Sequence, residues 1–246
     1  MNSLSQPKIQ IAPVGFEIDR IVIPAKKEKA DIVYLIMHSN VNADKSTKYA
    51  DKIKDSLKKS KIKTETVYAD RNNLLDIVKA VKEIIVKHRQ SEILINVSSG
   101  SKIHAIACMM GCMIFDDRKN IVPFYAEPEK YPAFKASEQQ TYGVKDVQKL
   151  PTYQMQTPKK GLLEILTIIK EAGRIKKSDL AELAIKRKII TISSTDNYKM
   201  ARFTALDKNI ITPLKKIWNF VDEEKIGRNR YIFLTEDGKL ASQFLF

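Results

Sequence analysis

The first 150 residues alternate two hydrophobic rhythms. Lys8–Ala12 is a short apolar strand, and Asp31–Met37 (DIVYLIM) is a β-branched apolar run, the pattern of a strand buried on both faces. Lys63–Tyr68, Glu92–Val97 and Asn120–Phe124 read as further strands. Helical spacing separates them. Asp44–Ser60 places Tyr49, Ile53 and Leu57 on one face, Leu74–His88 has an apolar stripe from Leu74 to Ile85, and Ile103–Phe115 is apolar almost all round. Strands alternating with helices predict an α/β, Rossmann-like parallel sheet. Ligands of such sheets bind outside the carboxyl ends of the strands.

The rhythm changes after Lys149–Pro158, a polar stretch with two prolines that reads as a linker. The expected division is therefore residues 1–148, a linker over 149–158, and residues 159–246. Helices are predicted at Lys160–Ala172, ended by Gly173, and at Asp179–Lys188, capped by Ser178. A third, capped by Ser194 or Thr195, runs through Phe203, Leu206, Ile210, Leu214 and Ile217, with Pro213 as a kink. Asn219–Lys225 and Arg230–Leu234 flank a turn at Ile226–Asn229 and predict a hairpin, and Thr235–Phe246 a last short helix. Three helices followed by a hairpin is the order of a mainly α winged helix-turn-helix domain.

Charge sharpens this picture. The net charge is +14, and half of it lies in the last 96 residues. A surface so basic suits a polyanion, with nucleic acid first. Two cysteines, Cys108 and Cys112, make neither a disulfide framework nor a paired zinc motif, and no metal site is expected. They sit four apart on one apolar helix face, as buried structural thiols. No apolar run is long enough to span a membrane, and Met1–Ile11 lacks the apolar centre of a signal peptide. A reducing cytoplasm is the expected compartment.

The sharpest local feature is Asn96-Val97-Ser98-Ser99-Gly100-Ser101-Lys102, which follows a buried strand and opens a helix. Free N–H groups at a helix start carry partial positive charge and suit a phosphate. Gly100 lets the backbone approach closely, Ser98, Ser99 and Ser101 offer short donors, and Lys102 adds a full charge. The loop fits neither GxxxxGK[ST] nor GxGxxG. Gly15 and Phe16 in the exit of the first strand face the same crevice, as do His38 and Ser39 at the end of the second. In this reading Gly15 exposes backbone N–H groups and Phe16 stacks on a base.

These features resemble the CARF domain, the CRISPR-associated Rossmann-like sensor of cyclic oligoadenylates, and most closely the archaeal regulators that join it to a winged helix. Asn96, Ser98, Ser99, Gly100, Ser101 and Lys102 match the family's motif after the fourth strand, with Ser99 where many members have glycine or threonine. The looser match is Gly15–Arg20. The resemblance implies a homodimer with one cyclic oligoadenylate, of four or six nucleotides, as effector across the dyad. It implies no other cofactor.

The winged helix implies duplex DNA as partner. Asn197, Tyr198, Lys199 and Arg202 are the candidate groove residues, while Phe203 and Leu206 are read as core. Lys176, Lys177, Arg228, Asn229 and Arg230 are the candidate phosphate contacts. The resulting reading is a ligand-responsive transcriptional regulator. The alternative is a ring nuclease in which the winged helix serves assembly. No catalytic residue is assigned, because His104 reads as structural, and the last third of the chain holds no histidine.

Overall fold

The structure is a computed structural model that describes residues 6–115, 120–133, 138–192 and 197–246. It divides into two compact units, Met1–Gln156 and Thr157–Phe246.

The first unit is a six-stranded sheet in the order β3-β2-β1-β4-β5-β6. Its strands are β1 (Lys8–Pro13), β2 (Ile32–His38), β3 (Lys63–Ala69), β4 (Glu92–Asn96), β5 (Ile121–Glu127) and β6 (Asp146–Lys149). The first five are parallel and β6 is antiparallel on β5. The helices are α1 (Asp19–Lys27), α2 (Thr47–Lys59), α3 (Leu74–Lys87) and α4 (Lys102–Phe115). Alternation along β2 shows the layering. Val33, Leu35 and Met37 pack with Ile21, Val22 and Ala25 of α1 and Ala50, Ile53 and Leu57 of α2. Tyr34 points the other way, and its hydroxyl meets His88 at the end of α3 at 2.7 Å. The predicted Rossmann-like parallel sheet is therefore observed. The chain leaves β1 toward β2 and β3, then crosses back to β4, so the carboxyl ends of β1 and β4 form the switch point of the sheet.

In the first unit, three features differ from expectation. The stretch after β1, read as loop through Arg20, becomes α1 at Asp19. Ile21, Val22, Ile23 and Pro24 disguise it, since β-branched residues and an internal proline argue against a helix. Its start is held from far away, because Gln139 Oε1 accepts the N–H groups of Ile18 (2.9 Å) and Asp19 (3.0 Å). Next, α2 begins at Thr47 rather than Asp44, whose carboxylate is turned back onto Ser46. Lastly, Lys149, assigned to the linker, ends strand β6, paired with Phe124.

Pro24 also shapes the sheet edge. It has no N–H to give the carbonyl of Arg20 one turn back. The buried amide of Asn96, the last residue of β4, fills that position with Nδ2 donating to Arg20 O at 2.7 Å. Gln10 of β1 makes a similar tie to Ile21 O at 3.0 Å.

The second unit comprises α5 (Lys160–Ala172), β7 (Arg174–Lys176), α6 (Lys177–Lys186), α7 (Tyr198–Leu206), α8 (Thr212–Lys216), β8 (Val221–Ile226), β9 (Asn229–Leu234) and α9 (Glu236–Ala241). The sheet order β7-β9-β8 and the two-residue turn at Gly227 (φ 60°) make the predicted wing. Ile165, Leu166, Ile169, Leu180, Leu206, Leu214 and Ile232 share the core. The expected kink at Pro213 is instead a π-helical turn over Asp207–Ile211, which links α7 to α8. Ser178 does not cap α6. Its hydroxyl donates to Asp179, and the helix starts two residues earlier than expected, at Lys177. The caps expected at Ser194 or Thr195 lie outside the described residues.

Asn96→Ala leaves the Arg20 carbonyl and the Ser98 N–H without their buried partner. It is expected to lower the unfolding free energy of the first unit by about 2–4 kcal/mol, measured by calorimetry. A loss below about 0.5 kcal/mol would contradict the role given to this amide.

Candidate functional site

Loops from the carboxyl ends of β1, β2, β3 and β4 meet around a cavity of about 210 Å³. It is lined by Val14, Gly15, Phe16, His38, Ser46, Arg71, Gly100, Ser101, His104 and Gln140.

The β4–α4 loop is held from below. Asn96 Oδ1 accepts the Ser98 N–H at 2.8 Å while its amide group holds α1. Ser98 Oγ accepts the Ala126 N–H at 2.6 Å, and Ser99 Oγ donates to the Pro13 carbonyl. The hydroxyls of Ser98 and Ser99, expected as ligand donors, are thus buried inside the scaffold and position the loop. Asn96 is fully buried in the same role. Ser101 and Lys102 remain exposed at the start of α4.

Two glycines let the β1 and β4 loops touch. A Cβ on Gly15 would lie 2.8 Å from Gly100 N and 3.0 Å from its Cα. Gly100 has φ +80°, and a Cβ there would meet Pro13 at 2.8 Å. The expectation that these loops share a crevice is met by direct backbone apposition. Phe16 packs on Tyr49, with ring centroids 5.3 Å apart and planes at 53°. Beside it, Glu17 and Arg20 are buried together, with Arg20 over the Tyr125 ring and Thr141 donating to Glu17. Burial pushes the Glu17 carboxyl up, against the lowering pull of Thr141 and Arg20.

The far wall holds residues that the motifs did not single out. Asp44 is buried and pairs with Arg71. Burial pushes its carboxyl up, but the Ser46 hydroxyl, the Ser46 N–H and Arg71 outweigh this and hold it below the usual range. The Arg71 N–H donates to His38 Nδ1 at 3.3 Å. Ser39 is exposed, and neither it nor Lys102 lines the cavity. Arg71 was legible in principle. Asp70–Asn73 is a polar cluster directly after a strand, at the same edge as the glycine loops.

His104 has two roles at once. Ser101 Oγ accepts its N–H at 3.4 Å, and its Nδ1 accepts the Ser101 N–H at 3.1 Å, a capping box with histidine in the usual Glu position. The ring is 4% exposed. Burial first, then the positive charge of Arg71, pushes its pKa down to about 4. The imidazole is therefore neutral at pH 7, and the Ser101 N–H donating to Nδ1 assigns the ring proton to Nε2. Sequence spacing concealed this, since an apolar helix around His104 reads as core.

Cys108 and Cys112 are buried, and burial pushes the Cys108 thiol up to about 12, which makes it unreactive. Among the described residues, no group of three or more His, Cys, Asp or Glu side chains could hold a metal ion, and no helix is long and apolar enough to cross a membrane.

In the winged-helix unit, three expected phosphate or groove contacts are already paired. Lys177 lies 2.5 Å from Asp207 and 3.6 Å from Glu223. Arg202 meets Glu182 at 2.8 Å, and Arg230 meets Glu223 at 3.0 Å. The acidic run Asp222–Glu224 on β8 supplies much of this neutralisation. Asn197 Oδ1 accepts the Met200 N–H at 3.4 Å as the cap of α7. Lys176, Tyr198, Lys199, Arg228 and Asn229 are exposed, and the charged ones carry no ion pair among the described residues.

The family model described as "HFX_2341_N:-like, N-terminal" matches residues 8–131, half of the chain. The chain belongs to this family. A second model, "DUF6293 C-terminal winged helix domain", matches residues 162–245. The two domains stand in the order that the resemblance implied. The Methanocaldococcus jannaschii protein named "Uncharacterized protein MJ1513" is 30% identical over 215 residues, which is 77% of this chain and 64% of the relative. Among solved structures, Enterococcus italicus Csm6 bound to cyclic hexa-2′-fluoro-hexa-dAMP aligns with a TM-score of 0.41 and 13% identity, over 86% of this chain and 56% of that one. Can2 from Sulfobacillus thermosulfidooxidans, in complex with cyclic tetra-adenylate, gives 0.42 and 12% identity, over 96% and 63%. The chain spans less than two thirds of each of these proteins.

The protonation state of His104 has a measurable consequence. Its folded pKa lies below the ordinary 6.5. Above pH 6.5 both folded and unfolded forms are neutral, and there is no effect. Between 6.5 and about 4 only the unfolded chain binds the proton, so stability falls with pH, by about 3 kcal/mol in full. His104→Gln keeps an acceptor for the cap and is expected to flatten this part of the pH–stability curve in calorimetry. Parallel curves for the two proteins would contradict the assignment.

Proposed function

We propose that the protein is a ligand-responsive DNA-binding regulator whose first unit senses a cyclic oligoadenylate. The observation that carries this reading is the meeting of the Gly15 and Gly100 backbones at the switch point of the sheet. Beside it lie an exposed helix start at Ser101–Lys102 and the guanidinium of Arg71. Helix N–H groups, a lysine and an arginine suit phosphodiesters.

A cavity of about 210 Å³ takes part of a nucleotide rather than a ring of four. The reading therefore places the ring across two protomers, each giving one crevice, so that ligand and protein share a two-fold axis. Exposed Ile106, with Met109, Met110 and Met113 on α4, supplies apolar surface for such a pairing.

In the second unit, Lys176, Arg228 and Asn229 are the proposed phosphate contacts, and Tyr198 and Lys199 the proposed groove contacts. Lys177, Arg202 and Arg230 join them only by exchanging a carboxylate partner for a phosphate. Ligand and DNA would be coupled by differential affinity of two states of the dimer. The ring-nuclease alternative gains nothing from His104. Its Nδ1 is engaged and its Nε2 carries the proton, so it is not placed as a general base.

Isothermal titration with cyclic tetra-adenylate, followed by chromatography of the mixture, tests the reading. The expected result is one ring per dimer, recovered intact, with binding at least tenfold weaker in Lys102→Ala. Linear products would establish the nuclease instead. No binding of this ring or of cyclic hexa-adenylate would overturn the sensor.

A further inference from the structure

Two residues at the cavity each carry a buried donor atom without a hydrogen-bond partner among the described residues, His104 at Nε2 and Arg71 at Nε. Both residues line the same 210 Å³ space. Native proteins pair nearly all such atoms, so an orphan asks for a reason. His104 is 4% exposed, and its orientation is fixed by the reciprocal bonds with Ser101. With Nδ1 held against the loop, the opposite edge of the ring carries the proton. The charges that act on the ring are those of Arg71, Asp44 and His38, of which Arg71 and His38 line the cavity.

The Asp44 carboxylate does not serve the imidazole. One of its oxygens takes the Ser46 N–H, the Ser46 hydroxyl and Arg71, and the other takes the His38 N–H at 3.4 Å. It leaves the guanidinium with Nε unpaired, and the imidazole with no acceptor.

We propose that His104 Nε2–H and Arg71 Nε–H form a subsite for a phosphoryl oxygen, one neutral donor and one charged donor converging on the same anion. This rests on the crevice being a nucleotide site, as proposed above, and adds which atoms read the phosphate. Lys102 and the α4 N-terminus attract the anion from outside, whereas the His104–Arg71 pair fixes its place inside. The neutral donor matters chemically. A phosphodiester carries a single charge, and an imidazole N–H satisfies one oxygen without adding a second buried cation. Because His104 also caps α4, an oxygen held by Nε2 is connected through the ring to the start of that helix.

The test uses the full chain with ring-¹⁵N-labelled histidine. With three histidines in the sequence, the His104 signals are separable by single substitution of His38 and His88. Long-range ¹H–¹⁵N spectra at pH 7.5 are recorded alone, with inorganic phosphate, with adenosine 5′-monophosphate and with cyclic tetra-adenylate. The expected result is the Nε2–H tautomer of His104 in the free protein and a downfield Nε2–H shift on addition of phosphate-bearing ligand. His104→Gln is expected to weaken that ligand about tenfold while retaining the native circular dichroism spectrum. A shift with phosphate or adenosine 5′-monophosphate but none with the ring would uphold the subsite and overturn the cyclic ligand. Ring binding by titration with the His104 signal unmoved would overturn the subsite and leave the sensor standing. An Nδ1–H tautomer in the free protein would overturn it outright.

Discussion

A proline inside a helix leaves one carbonyl unanswered, and much of the site depends on what answers it. Pro24 cannot donate to Arg20 O, and the buried amide of Asn96 takes that place at 2.7 Å. The same side chain then accepts the Ser98 N–H at 2.8 Å. One residue thus ties the end of β4 to α1 and sets the first turn of the loop beyond. Ser98 and Ser99 extend this anchoring to β5 and β1. With the loop fixed from below, Gly100 lies against Gly15, and Ser101 opens α4 beside Arg71 and His104. The polar side chains of the motif are in this sense architectural. The surface they present is made of backbone, Ser101 and Lys102.

How much of this was legible follows from where each interaction originates. Strands β1, β2 and β4 are apolar runs buried on both faces, so their pattern is local and readable. The wing is readable for a similar reason, because a glycine turn between two alternating stretches marks a hairpin. α1 was not readable. Its β-branched residues and proline argue for strand or loop, while its start is capped by Gln139, more than a hundred residues away. The far wall was legible only in part. Asp44 was expected inside a helix, yet it pairs with Arg71 from the next crossover. Arg71 lies in a polar cluster directly after a strand, which marks its edge of the sheet, but its pairing with Asp44 is a tertiary contact that no local pattern shows. His104 was visible as a residue but not as a donor. Its neutral state and free Nε2 follow from burial and from the capping box, both tertiary facts.

The winged-helix unit carries a different lesson about charge. A net excess of basic residues does not mean that each lysine or arginine faces a ligand. Lys177, Arg202 and Arg230 are drawn into pairs by Asp207, Glu182 and Glu223. The Arg230 pair is exposed and contributes little to stability, about 0–1 kcal/mol, whereas the side chains of Lys177 and Arg202 are mostly buried. These pairs reduce the number of basic side chains left without a carboxylate partner. Lys176, Lys199 and Arg228 are exposed and carry no ion pair among the described residues.

The central claim is that four loops at one sheet edge form a single site for a cyclic oligoadenylate. Hydrogen–deuterium exchange on the full chain, with and without saturating cyclic tetra-adenylate, reads that claim residue by residue. The account predicts protection of residues 13–18, 38–46, 70–73 and 96–104 together. Protection confined to other segments, or no change in any of these four, would contradict it.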